Sequence, residues 1–134
     1  MNSPLDRFLS AIGYPEKASE GAASFSLLVD GDEVLVRAEG GRLVLSRVLS
    51  REAEHLPRLA SFVPGRMLRE EAVLAAEPGP DGAAFLWREL PADASPGAMQ
   101  RAFESFCDSC DWWLERVDEF SAPVSEIPPL MIRP

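Results

Sequence analysis

Between Ser95 and Phe120 an apolar residue recurs every three or four positions for about six helical turns. Met99, Ala102, Phe103, Phe106, Cys110, Trp113, Leu114 and Val117 fall on one stripe. Arg101, Glu104, Asp108, Asp111 and Glu115 fall opposite. Ser95 can cap this helix, and Pro96 suits its first turn, where a missing N–H leaves no bond unmade. Burying such a stripe contributes on the order of 10 kcal/mol before conformational entropy is charged. The rest of the chain must therefore supply a layer that covers it. Trp112 lies off the centre of the stripe, which is unusual for so large an aromatic.

The chain opens with a second, shorter helix. Ser3 is its cap, Pro4 its first residue, and Asp6 follows three residues after the cap. Leu5, Phe8, Leu9 and Ile12 share one face, and Gly13 and Pro15 stop it. Three strands are then expected: Phe25 to Val29, Glu33 to Ala38, and Arg42 to Leu49. Asp30-Gly31-Asp32 and Glu39-Gly40-Gly41 join them as tight turns of an antiparallel meander. Phe25, Leu27 and Val29 share one face of the first strand. On the third, Leu43, Leu45 and Arg47 share one face and Val44 and Val48 the other. A sheet with a single covered face alternates more cleanly, so the second face has apolar surface to cover as well.

Residues 50–70 predict a short helix beginning near Glu54. Pro57 is tolerated only near its start, and Pro64-Gly65 ends it. Ala72 to Glu77 and Ala83 to Leu90 flank Pro78-Gly79-Pro80-Asp81-Gly82 as a second hairpin, with Phe85 and Trp87 on one face and Leu86 on the other. The expectation is an α+β fold, in the order helix, three-stranded antiparallel meander, short helix, β-hairpin, long helix. Residues 1–120 form one domain. Residues 121–134 form an extended tail with four prolines, Pro123, Pro128, Pro129 and Pro134, and the apolar residues Ile127, Leu130, Met131 and Ile132.

The chain has 134 residues, enough to bury a core without disulfide or metal support. Its 22 acidic and 13 basic side chains give a formal net charge of −9. Nucleic-acid binding needs a basic face that displaces counterions from phosphates, and an acidic membrane surface repels a chain of this sign. Met1-Asn2-Ser3-Pro4 has no basic segment leading into a long apolar run, and no stretch approaches the ~20 apolar residues of a membrane span. A cytoplasmic protein is expected, with no nucleic-acid partner and no membrane insertion.

Cys107-Asp108-Ser109-Cys110 is the one motif with redox or metal associations. A redox pair sits at a helix N-terminus, where the dipole favours a thiolate. This pair is expected in mid-helix, with Cys110 on the apolar stripe. Structural zinc takes four ligands, and the chain has His55 as its single histidine and no second cysteine pair. Asp30-Gly31-Asp32-Glu33 lacks the later ligands of a calcium loop and reads as a hairpin turn. Gly40-Gly41 is flanked by strands, which excludes a phosphate-binding loop. No catalytic residue, metal site or cofactor is expected.

Three stretches carry a family resemblance: PLDRFLSAIG, FSLLVDGDEVLVRAEGGRLVLSRVL, and AVLAAEPGPDGAAFLWRELP leading into the final helix. Over about residues 4–118 the chain resembles the class I type III secretion chaperones, the Tir-chaperone-like family. Pro57, Pro64 and the apolar tail depart from that pattern. The resemblance implies a homodimer that holds the N-terminal segment of a secreted effector in extended form, soluble and competent for secretion. It implies strand pairing and apolar grooves as the means, and contact with secretion-apparatus components. Candidate client contacts are then Leu5, Leu27, Leu28, Val34, Val36, Leu43 and Leu45. The candidate dimer face is Leu56, Leu59, Phe62, Met67, Leu86 and Trp87. The competing expectations are a thiol oxidoreductase or metal protein built on Cys107 and Cys110, and an adaptor of the same fold outside secretion.

Overall fold

A computed structural model describes residues 3–66, 71–78 and 82–121. Helix α1 (Pro4–Ala11) is followed by strands β1 (Ser24–Val29), β2 (Asp32–Glu39) and β3 (Arg42–Ser50). Two short helices come next, α2 (His55–Ala60) and α3 (Val63–Arg66). Strands β4 (Val73–Ala76) and β5 (Ala84–Pro91) lead into α4 (Pro96–Ser121).

The strands form one antiparallel five-stranded sheet in the order β1-β2-β3-β5-β4. The meander and the hairpin expected from sequence are thus joined edge to edge, through β3 and β5. Asp30 and Gly31 have φ of 53° and 85°, and Gly40 and Gly41 have 56° and 77°. Two consecutive positive values match the twist of paired strands, which explains Asp-Gly and Gly-Gly at these turns.

The meander places Val34 opposite Leu27, and Val36 opposite both Phe25 and Leu45. That register puts Leu27, Val34, Val36, Leu43, Leu45 and Leu86 on one face, the inner face, and all are at most 1% exposed. Helices α1 and α4 cover it. Phe8 meets Phe103 edge to face at 5.8 Å, and Met99, Phe106, Cys110 and Trp113 of α4 are buried.

Caps follow the expected chemistry, with one change. The Ser3 hydroxyl accepts the Asp6 amide at 3.1 Å, and the Ser95 hydroxyl accepts the Ala98 amide at 3.2 Å. Asp6 does not reach back to the cap; its carboxylate accepts the Ala18 amide at 3.0 Å, pinning the connection to β1. Pro57 is the third residue of α2, where its ring meets no earlier turn. Pro64 does not end a helix: α2 stops at Ala60, and Pro64 lies in the first turn of α3, a position equally free of that clash.

Trp112 is explained by Phe62, in the link between α2 and α3, and by Arg66 of α3. Phe62 packs edge to face on it at 5.7 Å, and the guanidiniums of Arg66 and Arg116 lie 4.0 and 4.7 Å from its ring centre. It clamps the short helices onto α4 from beside the main stripe. The middle of the 78–82 turn, Met67 and the tail from residue 122 lie outside the described residues.

Candidate binding surface

The outer face of the sheet carries no helix among the described residues. Val44, Ser46 and Val48 of β3 lie on it beside Glu89, Trp87 and Phe85 of β5, and Val73 of β4 pairs with Trp87. Val73 is 48% exposed, Val48 38% and Leu28 of β1 62%, the largest exposures among the big apolar residues described. Phe85 and Trp87 are half-buried, whereas Val44, at the sheet centre, is only 2% exposed. Exposed apolar side chains on one sheet face, rimmed by charge, mark an interaction surface. The rim here is Arg42 with Glu89 at 2.9 Å and Glu39 at 3.7 Å, and Arg37 with Glu39 at 3.8 Å.

A trough of about 940 Å³ runs round one end of the sheet. It begins beside Leu114 and Asp118 of α4, passes Leu49 and Val48, and opens on the outer face at Leu35 and Phe85. Arg47, on the inner face as its alternation predicts, is held there by Asp32 at 2.8 Å. A smaller depression lined by Val44, Phe85 and Trp87 continues across the outer face.

Among the described residues the sheet also has two free edges, β1 and β4, each paired on one side only. The Leu28 amide on the β1 edge donates to the Tyr14 hydroxyl at 3.4 Å, the long limit of such a bond. Tyr14 is held by an edge-to-face contact with Phe25 at 5.7 Å.

The sequence-predicted contacts divide sharply. Leu5, Leu27, Val34, Val36, Leu43 and Leu45 belong to the core, because their faces meet under α1 and α4, and they offer a client no surface in this fold. Leu28 alone of that set is open to solvent. Of the candidate dimer residues, Leu59 and Leu86 are fully buried, while Leu56, Phe62 and Trp87 are partly buried. Phe62 is engaged with Trp112, and Met67 lies outside the described residues. Sequence reasoning missed Leu35, Val48, Val73 and Phe85 as contact candidates. The signal was present in the second apolar face of the third strand.

Neither cysteine lies where a helix dipole favours a thiolate. Both lie inside α4, far from its N-terminus. Burial, then the Asp111 carboxylate, pushes the Cys107 thiol up to about 11, which keeps it protonated and unreactive near neutrality. Ser50, His55 and Glu52 form a hydrogen-bonded chain, with Ser50 Oγ 2.8 Å from Nδ1 and Glu52 Oε2 3.0 Å from Nε2. The Ser50 hydroxyl also accepts the Glu52 amide at 3.1 Å. Ser50 and His55 are buried, so these atoms tie the end of β3 to the start of α2 and present no open nucleophile. Glu52, Glu54 and His55 can bring three ligand atoms together, but both imidazole nitrogens already have partners.

These elements define an α+β protein with the fold of the type III secretion chaperones. The chain is similar to a chain of the HopA1–SchA chaperone–effector complex, with TM-score 0.65 and 15% identity over 83% of this chain and 90% of that one. It is similar to a chain of the heterodimeric ExoU–SpcU complex from the type III secretion system of Pseudomonas aeruginosa, with TM-score 0.59 and 18% identity, covering 83% and 95%. The Yersinia pestis type III secretion chaperone SycH with a fragment of YscM2 gives TM-score 0.59 and 16% identity, covering 82% and 96%. No protein-family model and no curated protein sequence matches the chain. No helix among the described residues is long and apolar enough to cross a membrane.

Proposed function

We propose that this chain is a cytoplasmic type III secretion chaperone. It binds the N-terminal segment of a secreted effector in extended form, keeping that segment soluble and ready for export. The observation that carries this reading is the outer face, which no helix covers among the described residues, with Leu28, Val48 and Val73 exposed beside Phe85 and Trp87, on a sheet whose two edges have no described partner strand. An extended segment gains affinity from main-chain hydrogen bonds at an edge and specificity from side chains seated in grooves. No nucleotide is required, since burial and strand pairing supply the energy. Binding rather than catalysis also accords with the protonated Cys107 and the buried Ser50–His55 pair.

The chain acts as a homodimer, with Trp87 and the adjoining β4 edge on the shared side and Leu28 and the β1 edge left to the client. Contact with the secretion apparatus follows delivery of the client. The test is co-purification from the native cell, identification of the partner, and proteolysis of the complex. Protection confined to an otherwise cleavable N-terminal segment of the partner supports the reading. A partner gripped through a folded domain refutes it, as does recovery of no protein partner. Sedimentation at micromolar concentration tests the dimer, and a monomer there refutes it.

A further inference from the structure

The sequence continues for thirteen residues past Ser121 (134 − 121), from Ala122 to Pro134. They include Val124, Ile127, Leu130, Met131 and Ile132 among four prolines. Two features of the fold bear on where such a segment goes. Leu114 and Asp118 line the trough, and position 121 follows them at i+7 and i+3 on the same side of α4. The chain therefore leaves the helix at the mouth of the trough. The trough then leads past Leu49 and Val48 to the apolar outer face at Leu35 and Phe85.

We infer that residues 122–134 occupy this trough in cis, as a built-in competitor for the client segment. The competitor half rests on the proposed function; the docking itself does not. Thirteen residues in polyproline geometry reach about 40 Å, long enough to round the end of the sheet and lie on its outer face. Proline has no N–H, so the tail is ill suited to extending the sheet at the β1 or β4 edge. It gains instead from side-chain contact in a groove, in a conformation that loses little entropy on binding. Charge does not oppose this. The walls carry Asp32, Glu33, Glu77 and Asp118 with Arg37, Arg47 and Arg51, and the tail carries Glu126 and Arg133. Attachment at Ser121 supplies an effective concentration on the order of millimolar, so a contact too weak to hold a free peptide still fills the trough most of the time.

The test uses the full chain and a fluorescein-labelled peptide of residues 122–134. The peptide is titrated into the natural chain and into a full-length variant carrying Leu130→Asp, Met131→Asp and Ile132→Asp. The variant, its own tail released, binds the peptide about tenfold tighter than the natural chain. Adding Val48→Asp to the variant weakens binding at least about tenfold, whereas Ser105→Asp, on the exposed face of α4 and outside the trough, leaves it unchanged. Circular dichroism confirms that each protein is folded. Failure of the peptide to bind the variant at millimolar concentration overturns the inference. So does equal affinity for the two proteins, or indifference to Val48→Asp. A variant that loses half its sedimenting mass shows the tail docked on a second copy, which overturns docking in cis. The client segment recovered by co-purification binds the variant several-fold tighter than the natural chain. If it binds both equally while the peptide results hold, the competitor role is overturned and docking stands. If it binds neither, the chaperone reading itself fails.

Discussion

Leu27 and Leu28 are neighbours on β1 with opposite environments, and replacing each in turn by alanine tests the register of the whole meander. Leu27 is 0% exposed, pairs with Val34, and sits among the residues beneath α1. Its truncation removes buried methyl groups and leaves a cavity that a core already held on two sides closes only in part. The expected cost is about 3–4 kcal/mol. Leu28 is 62% exposed and faces outward, so its truncation costs under about 0.5 kcal/mol. With a urea slope near ~1.5 kcal/mol per molar, Leu27→Ala lowers the unfolding midpoint by about 2 M, and Leu28→Ala by less than about 0.4 M. Urea titration followed by circular dichroism reads both numbers. Client binding separates the pair in the other direction: Leu28→Ala weakens it, while Leu27→Ala, assayed where it remains folded, does not. Equal destabilisation by the two substitutions would refute the assignment. A one-residue slip moves every side chain to the other face, and then Leu28 would be the core residue.

Asp32→Ala strips the buried Arg47 guanidinium of its carboxylate and costs about 1–3 kcal/mol; adding Arg47→Met recovers part of that loss in the same urea titration. Arg7 donates to the carbonyls of Ala92 and Ala94 at 2.7 and 3.1 Å, fastening α1 to the link between β5 and α4. Arg7→Met therefore lowers stability by about 1–3 kcal/mol, read as a shifted midpoint at unchanged slope. Cys107, with its thiol pushed up to about 11 from 9.0, alkylates with iodoacetamide at pH 8 about 100-fold more slowly in the native protein than in urea. Because the fold favours the protonated thiol, Cys107 contributes its stability below pH 9.0 and loses it as pH rises towards about 11. Replacement by serine flattens the alkaline side of the stability profile, and an unchanged profile contradicts the cause given.

Much of the fold was legible because its signals are local. Asp30-Gly31 and Gly40-Gly41 announce turns that need positive φ, and Ser3-Pro4 and Ser95-Pro96 announce helix starts. Arg47 was readable in part, since alternation placed it on the face of Leu43 and Leu45, which the fold turns inward. The binding surface was harder. Val44 and Val48 share a face of one strand, yet one is 2% and the other 38% exposed. The difference comes from position relative to β5 and the sheet end, which no periodicity encodes. The same holds for Leu5, Leu27, Val34, Val36, Leu43 and Leu45: an apolar residue on a strand reads alike whether a helix or a client covers it. Arg7 reaches carbonyls 85 and 87 positions away, and nothing near it in sequence announces that. Trp112 looked misplaced until the link between α2 and α3 supplied Phe62 and α3 supplied Arg66.

Helix α4, the longer of the two helices over the inner face, leaves the ribosome after every strand. Strands β1 to β3 are complete by Ser50, but α4 begins only at Pro96. The meander closes through adjacent turns, so it can form early, while the pairing of β3 with β5 joins segments distant along the chain and comes later. During that interval the face bearing Leu27, Val36 and Leu45 has α1 but not α4 to cover it. Translation speed across residues 50–96 then sets how long the half-made protein is prone to aggregate. A protein proposed to shelter another's unfinished chain thus passes through a stage at which its own needs shelter. Synonymous codons that slow synthesis in that stretch should lower its soluble yield.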